Sequence, residues 1–85
     1  MGTLKLNDGT EIVGYCIESS GLLFLYMYEI SLSEAFELLI DPEKTVVITE
    51  ESFGKEKIVE GYNKLRTVTD EMNGMITASL MKTVE

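Results

Sequence analysis

Residues 22–29 read Leu-Leu-Phe-Leu-Tyr-Met-Tyr-Glu. A strand here places Leu23, Leu25 and Met27 on one face and Leu22, Phe24, Tyr26 and Tyr28 on the other. Strands apolar on both faces are normally covered on both sides. One face must therefore meet the main core. The other needs a helix, a second sheet or a partner. In a chain of 85 residues, which buries only about 60–65 % of its unfolded surface on folding, that demand shapes everything else.

The flanks supply further strands. "TLKLNDGTEIVGYCIE" reads as a hairpin, with Leu4 and Leu6 alternating against Lys5 and Asn7 and a turn at Asn7-Asp8-Gly9. Its second strand, about Thr10 to Glu18, puts Val13, Tyr15 and Ile17 on one face and Ile12, Gly14 and Cys16 on the other. Gly14 in mid-strand predicts a bulge or a sharp bend. Ser19-Ser20-Gly21 is the next turn.

A single helix is expected after the third strand. Ser31 and Glu34 form an S-x-x-E capping box. Leu32, Ala35, Phe36 and Leu39 make one apolar stripe, and Asp41-Pro42 ends it, because the residue before proline avoids the helical region. About nine residues cannot stay helical alone in water, so the helix must dock, and the expected place is over the doubly apolar third strand. After a turn at Asp41 to Lys44 come an apolar strand, "TVVITEE", and a polar turn, "SFGKEK". "IVEGYNKLRTVTDE" reads as one long strand. An Asn-Gly turn at Met72-Asn73-Gly74 and a last strand with Ile76, Ala78 and Leu80 inward close the chain.

The expected fold is α+β. It is a small, mainly antiparallel β-roll or partly open barrel in the order β-β-β-α-β-β-β, with one short helix on the sheet, and residues 1–85 form a single domain.

The chemistry-bearing residues exclude more than they suggest. The chain has no histidine and one cysteine. Ser-His-Asp and Cys-His catalysis, thiolate zinc and iron–sulfur sites are therefore out of reach. Cys16 reads as a small packed hydrophobe. "DPEKTVVITEES" fails as a calcium loop, with Val46 at the sixth position and Ser52 at the twelfth. No P-loop, dinucleotide fingerprint or nucleophile elbow occurs. The reading is no enzyme, no cofactor and no metal.

The net charge of −8 argues against nucleic acid and against an anionic membrane surface, so the expected partner is a protein, another copy included. Without a basic, apolar leader or a run near 20 apolar residues, the chain is read as cytoplasmic when made. The candidate contacts are Tyr26 and Tyr28 on the third strand, Leu38 on the helix, and Tyr62, Lys64 and Arg66, which share a strand face with Glu60.

Two known families share stretches with this chain. "LKLNDGTEIVGYCIE" resembles the first motif of Sm-like RNA-binding proteins, with Gly9 and Gly14 at matching spacing. That alternative implies a nucleic-acid-binding ring subunit. The match ends after about fifteen residues. The family's second motif is absent, Glu18-Ser19-Ser20-Gly21 replaces its base-binding loop, and its helix precedes the sheet. Over most of its length, the succession "LKLNDGTE", "SLSEAFELL", "DPEKT…IT" and "EGYNKL" resembles small proteins of phages and prophages of Gram-positive bacteria encoded near virion or tail genes. Asn7, Asp8, Gly9, Glu34, Leu38, Asp41, Pro42, Glu60, Gly61, Tyr62 and Leu65 carry this resemblance. It implies a non-enzymatic structural or protein-interaction role, association with other virion proteins, and no catalytic residues.

Overall fold

The computed structural model describes residues 2–82. Seven strands form one sheet: β1 (Thr3–Lys5), β2 (Glu11–Ser19), β3 (Leu22–Tyr28), β4 (Val47–Ser52), β5 (Lys55–Glu60), β6 (Lys64–Asp70) and β7 (Met75–Met81). Two helices, α1 (Leu32–Leu39) and α2 (Pro42–Thr45), lie between β3 and β4. The sheet order is β5-β4-β1-β2-β3-β7-β6 and each pairing is antiparallel.

This corrects the expected fold. The sheet is open and seven-stranded rather than a roll or partly open barrel, and the order β-β-β-α-β-β-β does not hold. Two local features account for the difference in order. Asp41-Pro42, read as a helix stop, also starts a new helical turn: Asp41 is the N-cap, its Oδ1 accepts from Glu43 N at 3.0 Å, and Pro42 takes the first helical position, where its missing N–H costs nothing. The stretch read as one long strand breaks at Gly61 to Asn63, where Gly61 adopts φ +87° and its N–H bonds Val46 O.

That break has a topological result. β5 and β6 lie at opposite edges of the sheet, six antiparallel steps apart, and therefore run in the same direction. Only residues 61–63 join them. Three residues span at most about 14 Å between Glu60 and Lys64. One bent segment thus supplies both edges, its first half pairing with β4 and its second with β7, and the sheet must coil to allow it.

The hairpins follow their turn residues. Leu6 N bonds Thr10 O and Gly9 takes φ +91°, a three-residue loop in which only the glycine is left-handed. Asp8 Oδ1 accepts from Thr10 N at 3.0 Å, and this bond holds its carboxyl below the usual value. The β6–β7 turn closes in the same way around Gly74. Ser20-Gly21 and Phe53-Gly54 are two-residue turns with both residues at positive φ. Gly14 is not a bulge, since pairing with β3 runs unbroken through it. A Cβ there would overlap the Tyr26 carbonyl oxygen.

The core lies on the inner face of the coiled sheet. Leu4, Ile12, Cys16, Leu23, Leu25, Met27, Ile48, Val59, Ile76, Ala78 and Leu80 are buried there with Ala35 and Leu39 of α1. The N-cap half of the capping box forms: Glu34 N donates to Ser31 Oγ at 3.2 Å, while the Glu34 carboxylate accepts from the Ser31 hydroxyl at 3.0 Å rather than from its backbone N–H. The docking face differs. Ala35, Leu38 and Leu39 turn inward, whereas Leu32 and Phe36 stay largely exposed. α1 lies against β6, beside Leu65 and Val68, and does not cover the outer face of β3. A bulge at Arg66 makes this possible, because the extra residue turns Leu65 and Val68 to the same side.

Candidate interaction surface

The demand set by β3 is met on one side only. Its inner residues reach the core. Its outer residues, Leu22, Phe24, Tyr26 and Tyr28, remain half-buried on an open sheet face. Register extends this face on both sides. Tyr28, Tyr26 and Phe24 stand opposite Val13, Tyr15 and Ile17 of β2, and opposite Met75, Thr77 and Ser79 of β7. The rings of Tyr15 and Tyr26 stack 4.8 Å apart at 17°, an offset pair of the kind that adds about 0.5–1.5 kcal/mol beyond its area. Ile17 is 47 % exposed and Tyr15 38 %. No outward residue of these three strands between Val13 and Ser19, Leu22 and Tyr28, or Met75 and Met81 is charged, in a chain carrying a net charge of −8. The face is pinned at one flank, where the Thr67 and Ser79 hydroxyls bond at 2.6 Å. A shallow depression between Phe24, Tyr26, Thr67, Glu71 and Thr77 lies beside it.

A second feature is a cleft of about 280 Å³ where β2, the end of β3 and α1 meet. Ile12, Val13, Tyr28, Ile30 and Leu38 supply its apolar lining, and Glu11, Glu29 and Glu34 its rim.

The predicted contact residues separate. Tyr26 and Tyr28 lie on the outer face, and Tyr28 and Leu38 meet in the cleft. Lys64 and Arg66 are exposed on β6. Tyr62 is corrected: it is only 3 % exposed. It sits in the link between the two sheet edges, away from the expected strand face with Lys64 and Arg66. Its Oη donates to Glu18 Oε2 at 2.6 Å, and Lys82 Nζ lies 5.2 Å from its ring centre. The carboxylate acceptor, with burial adding to it, pushes the Tyr62 phenol up to about 12. Two residues were missed: Ile17, exposed on the open outer face beside Phe24, and Phe53, hidden in a stretch read as polar. The sequence signal for Phe53 was its place before Gly54, in a slot where asparagine is usual.

The polar groups serve structure. β1 starts at Thr3, so among the described residues β2 beyond Gly14 has no strand partner on that side. Side chains take the strand's place at Cys16: its N–H donates to Glu50 Oε2 at 2.6 Å and its carbonyl accepts from Lys57 Nζ at 3.1 Å, while Lys57 and Glu50 approach to 3.8 Å. Burial pushes the Cys16 thiol up to about 11, so its reactive thiolate is suppressed. Among the described residues no group of three potential ligands gathers as a metal site, and no helix is long and apolar enough to cross a membrane.

Comparison of the chain with protein-family models, curated proteins and solved structures finds no match.

Proposed function

We propose that this chain is a non-enzymatic protein-interaction protein, of the structural kind associated with phage virions or tails, and that it binds through the outer face of β2, β3 and β7. The single observation carrying the interaction role is that face, whose own strand residues are uncharged, with the stacked Tyr15–Tyr26 pair at its centre and Glu71 at its margin, bonded to Thr77. Contiguous apolar surface of this kind marks contact sites on small proteins, and stacked tyrosines are good anchors in such contacts. The phage setting rests on the resemblance of "LKLNDGTE", "SLSEAFELL" and "EGYNKL". The Sm-like alternative draws no support from the cleft rim, where three glutamates stand and a phosphate backbone would need cations.

The test is binding to the products of the genes encoded beside it, measured for the wild type and for Ile17→Lys and Tyr26→Lys. Both substitutions lie on the half-exposed outer face. Loss of binding with the melting temperature retained supports the proposal. Unchanged binding by both variants overturns the assignment of this face.

A further inference from the structure

The chain has three asparagines, Asn7, Asn63 and Asn73, and the fold treats them differently. Asn73 and Gly74 lie with the fully exposed Met72 at the tip of the β6–β7 turn, and all three are exposed. Neither the Asn73 side-chain amide nor the Gly74 N–H makes a hydrogen bond among the described residues. Asn7 is pinned twice: its backbone N–H donates to Lys44 O at 2.9 Å and its Nδ2 to Glu43 O at 3.1 Å. Asn63 precedes Lys64, which opens β6 and is paired with Met81.

An asparagine side chain beside an unencumbered backbone nitrogen is a reactive pair. The nitrogen of the following residue attacks the side-chain carbonyl carbon and closes a five-membered ring. Glycine favours this attack, because it has no Cβ to shield its nitrogen and its backbone turns freely. The exposed tip of a loop permits the movement that ring closure needs.

The β1–β2 turn is the same loop with the opposite chemistry. Leu6 N to Thr10 O and Glu71 N to Met75 O close the two loops, each at 2.8 Å, and Asp8-Gly9 takes the place of Asn73-Gly74. There the nitrogen of Gly9 is held by Leu6 O at 3.0 Å. Asp8 accepts from Thr10 N, which favours its carboxylate form, a poor electrophile.

We propose that Asn73 is a site of spontaneous deamidation in the folded protein. Gly74 N gives its proton to hydroxide and bonds to Asn73 Cγ. The Cγ–Nδ2 bond breaks, and the amide nitrogen takes a proton from water and leaves as ammonia. Water then opens the cyclic imide at either carbonyl, leaving aspartate or isoaspartate at position 73. Either product adds a carboxylate two residues from Glu71, which bonds Thr77 Oγ1 at 3.2 Å. Isoaspartate also lengthens the main chain of the loop by one carbon and works against its closing bond. The reaction needs only this turn and is independent of any partner on the outer sheet face.

The experiment is peptide mapping by mass spectrometry of the folded protein held in mildly alkaline buffer, with Asn73→Ser and a urea-unfolded sample beside it. In the folded protein, Asn73 is expected to convert at least about tenfold faster than Asn7 or Asn63, equivalent to ~1.4 kcal/mol in barrier. The rate rises with pH, ammonia is released in step, and Asn73→Ser releases far less of it. Conversion of Asn73 no faster than that of Asn7 and Asn63 overturns the proposal, as does conversion confined to the unfolded sample. Isoaspartate forming at Asp8 as fast as at Asn73 also overturns it, because the two loops would then not differ.

Discussion

Tyr62 and Glu18 lie 44 positions apart in the chain, and their side chains meet in a 2.6 Å hydrogen bond. Tyr62 belongs to the short link between the two sheet edges, and Glu18 to the far end of β2. The bond therefore ties the bend in the edge segment to the sheet that the segment borders. Tyr62→Phe keeps the buried ring and removes only this tie. The expected loss is about 1–2 kcal/mol, the range for a hydrogen bond to a charged acceptor, discounted for the exposure of Glu18. Urea unfolding of both proteins measures it.

The same pair gives a signature in alkali. The Tyr62 phenol is raised from 10.0 to about 12, chiefly by its bond to Glu18, and the Cys16 thiol from 9.0 to about 11, chiefly by burial. For a raised pKa the unfolded state loses its proton first. The stabilisation is thus complete below the unfolded pKa and lost as pH climbs through the folded one. The Cys16 contribution falls between about pH 9 and 11, and that of Tyr62 between about pH 10 and 12. Stability measured against pH should fall less steeply above pH 10 in Tyr62→Phe than in the wild type.

Glu50 and Lys57 stand in for a strand at Cys16, and they do not contribute equally. Glu50 is 15 % exposed and accepts a backbone N–H at 2.6 Å, whereas Lys57 is 46 % exposed. Glu50→Ala strands a part-buried donor and should cost about 1–3 kcal/mol. Lys57→Ala removes a bond that water replaces readily and should cost under about 1 kcal/mol. Thermal melts of the two variants, at low and high salt, test the ranking.

Gly14→Ala should prevent folding or destabilise it by about 3 kcal/mol or more, the upper range for overpacking. The added methyl meets backbone, the Tyr26 carbonyl in the centre of the sheet, and not a side chain free to move. A cooperative unfolding transition near that of the wild type would contradict the contact.

Thr45 offers the opposite sign. It is fully buried and its Oγ1 has no hydrogen-bond partner among the described residues. Thr45→Val keeps the shape and drops the orphan hydroxyl. A gain of about 1 kcal/mol is expected, seen as a rise in melting temperature of about 4–8 °C for a domain this size.

Local chemistry was the legible part of the chain. Gly9, Gly21 and Gly74 announced their turns, Ser31 and Glu34 the start of α1, and alternation put Ile76, Ala78 and Leu80 inside. Failures came where a residue had two uses. Asp41-Pro42 ends one helix and begins another. Gly61 breaks a run that the sequence reads as one strand. The bulge at Arg66 reverses the facing of the residues after it, so Val68 packs inward on the same side as Leu65. The docking place of α1 depended on tertiary order that no local pattern contains. For the candidate surface, the two-faced character of β3 was readable, and Tyr26 and Tyr28 come directly from it. The open side, the inward turn of Tyr62 and the protruding Phe53 all depend on which strands become neighbours.

β7 is the last strand of the sheet in sequence, yet it lies between β3 and β6. During synthesis β3 emerges long before the segment that must pair with it, residues 22–28 waiting for residues 75–81. Until then one edge of the most apolar strand in the molecule is unpaired, and both of its faces are apolar. The growing chain is therefore most prone to aggregate just before it can finish folding. Closing so long a loop late is also slow. Conditions that weaken apolar association between unfinished chains, such as synthesis in the cold or at a lower density of chains, should raise the yield of folded protein.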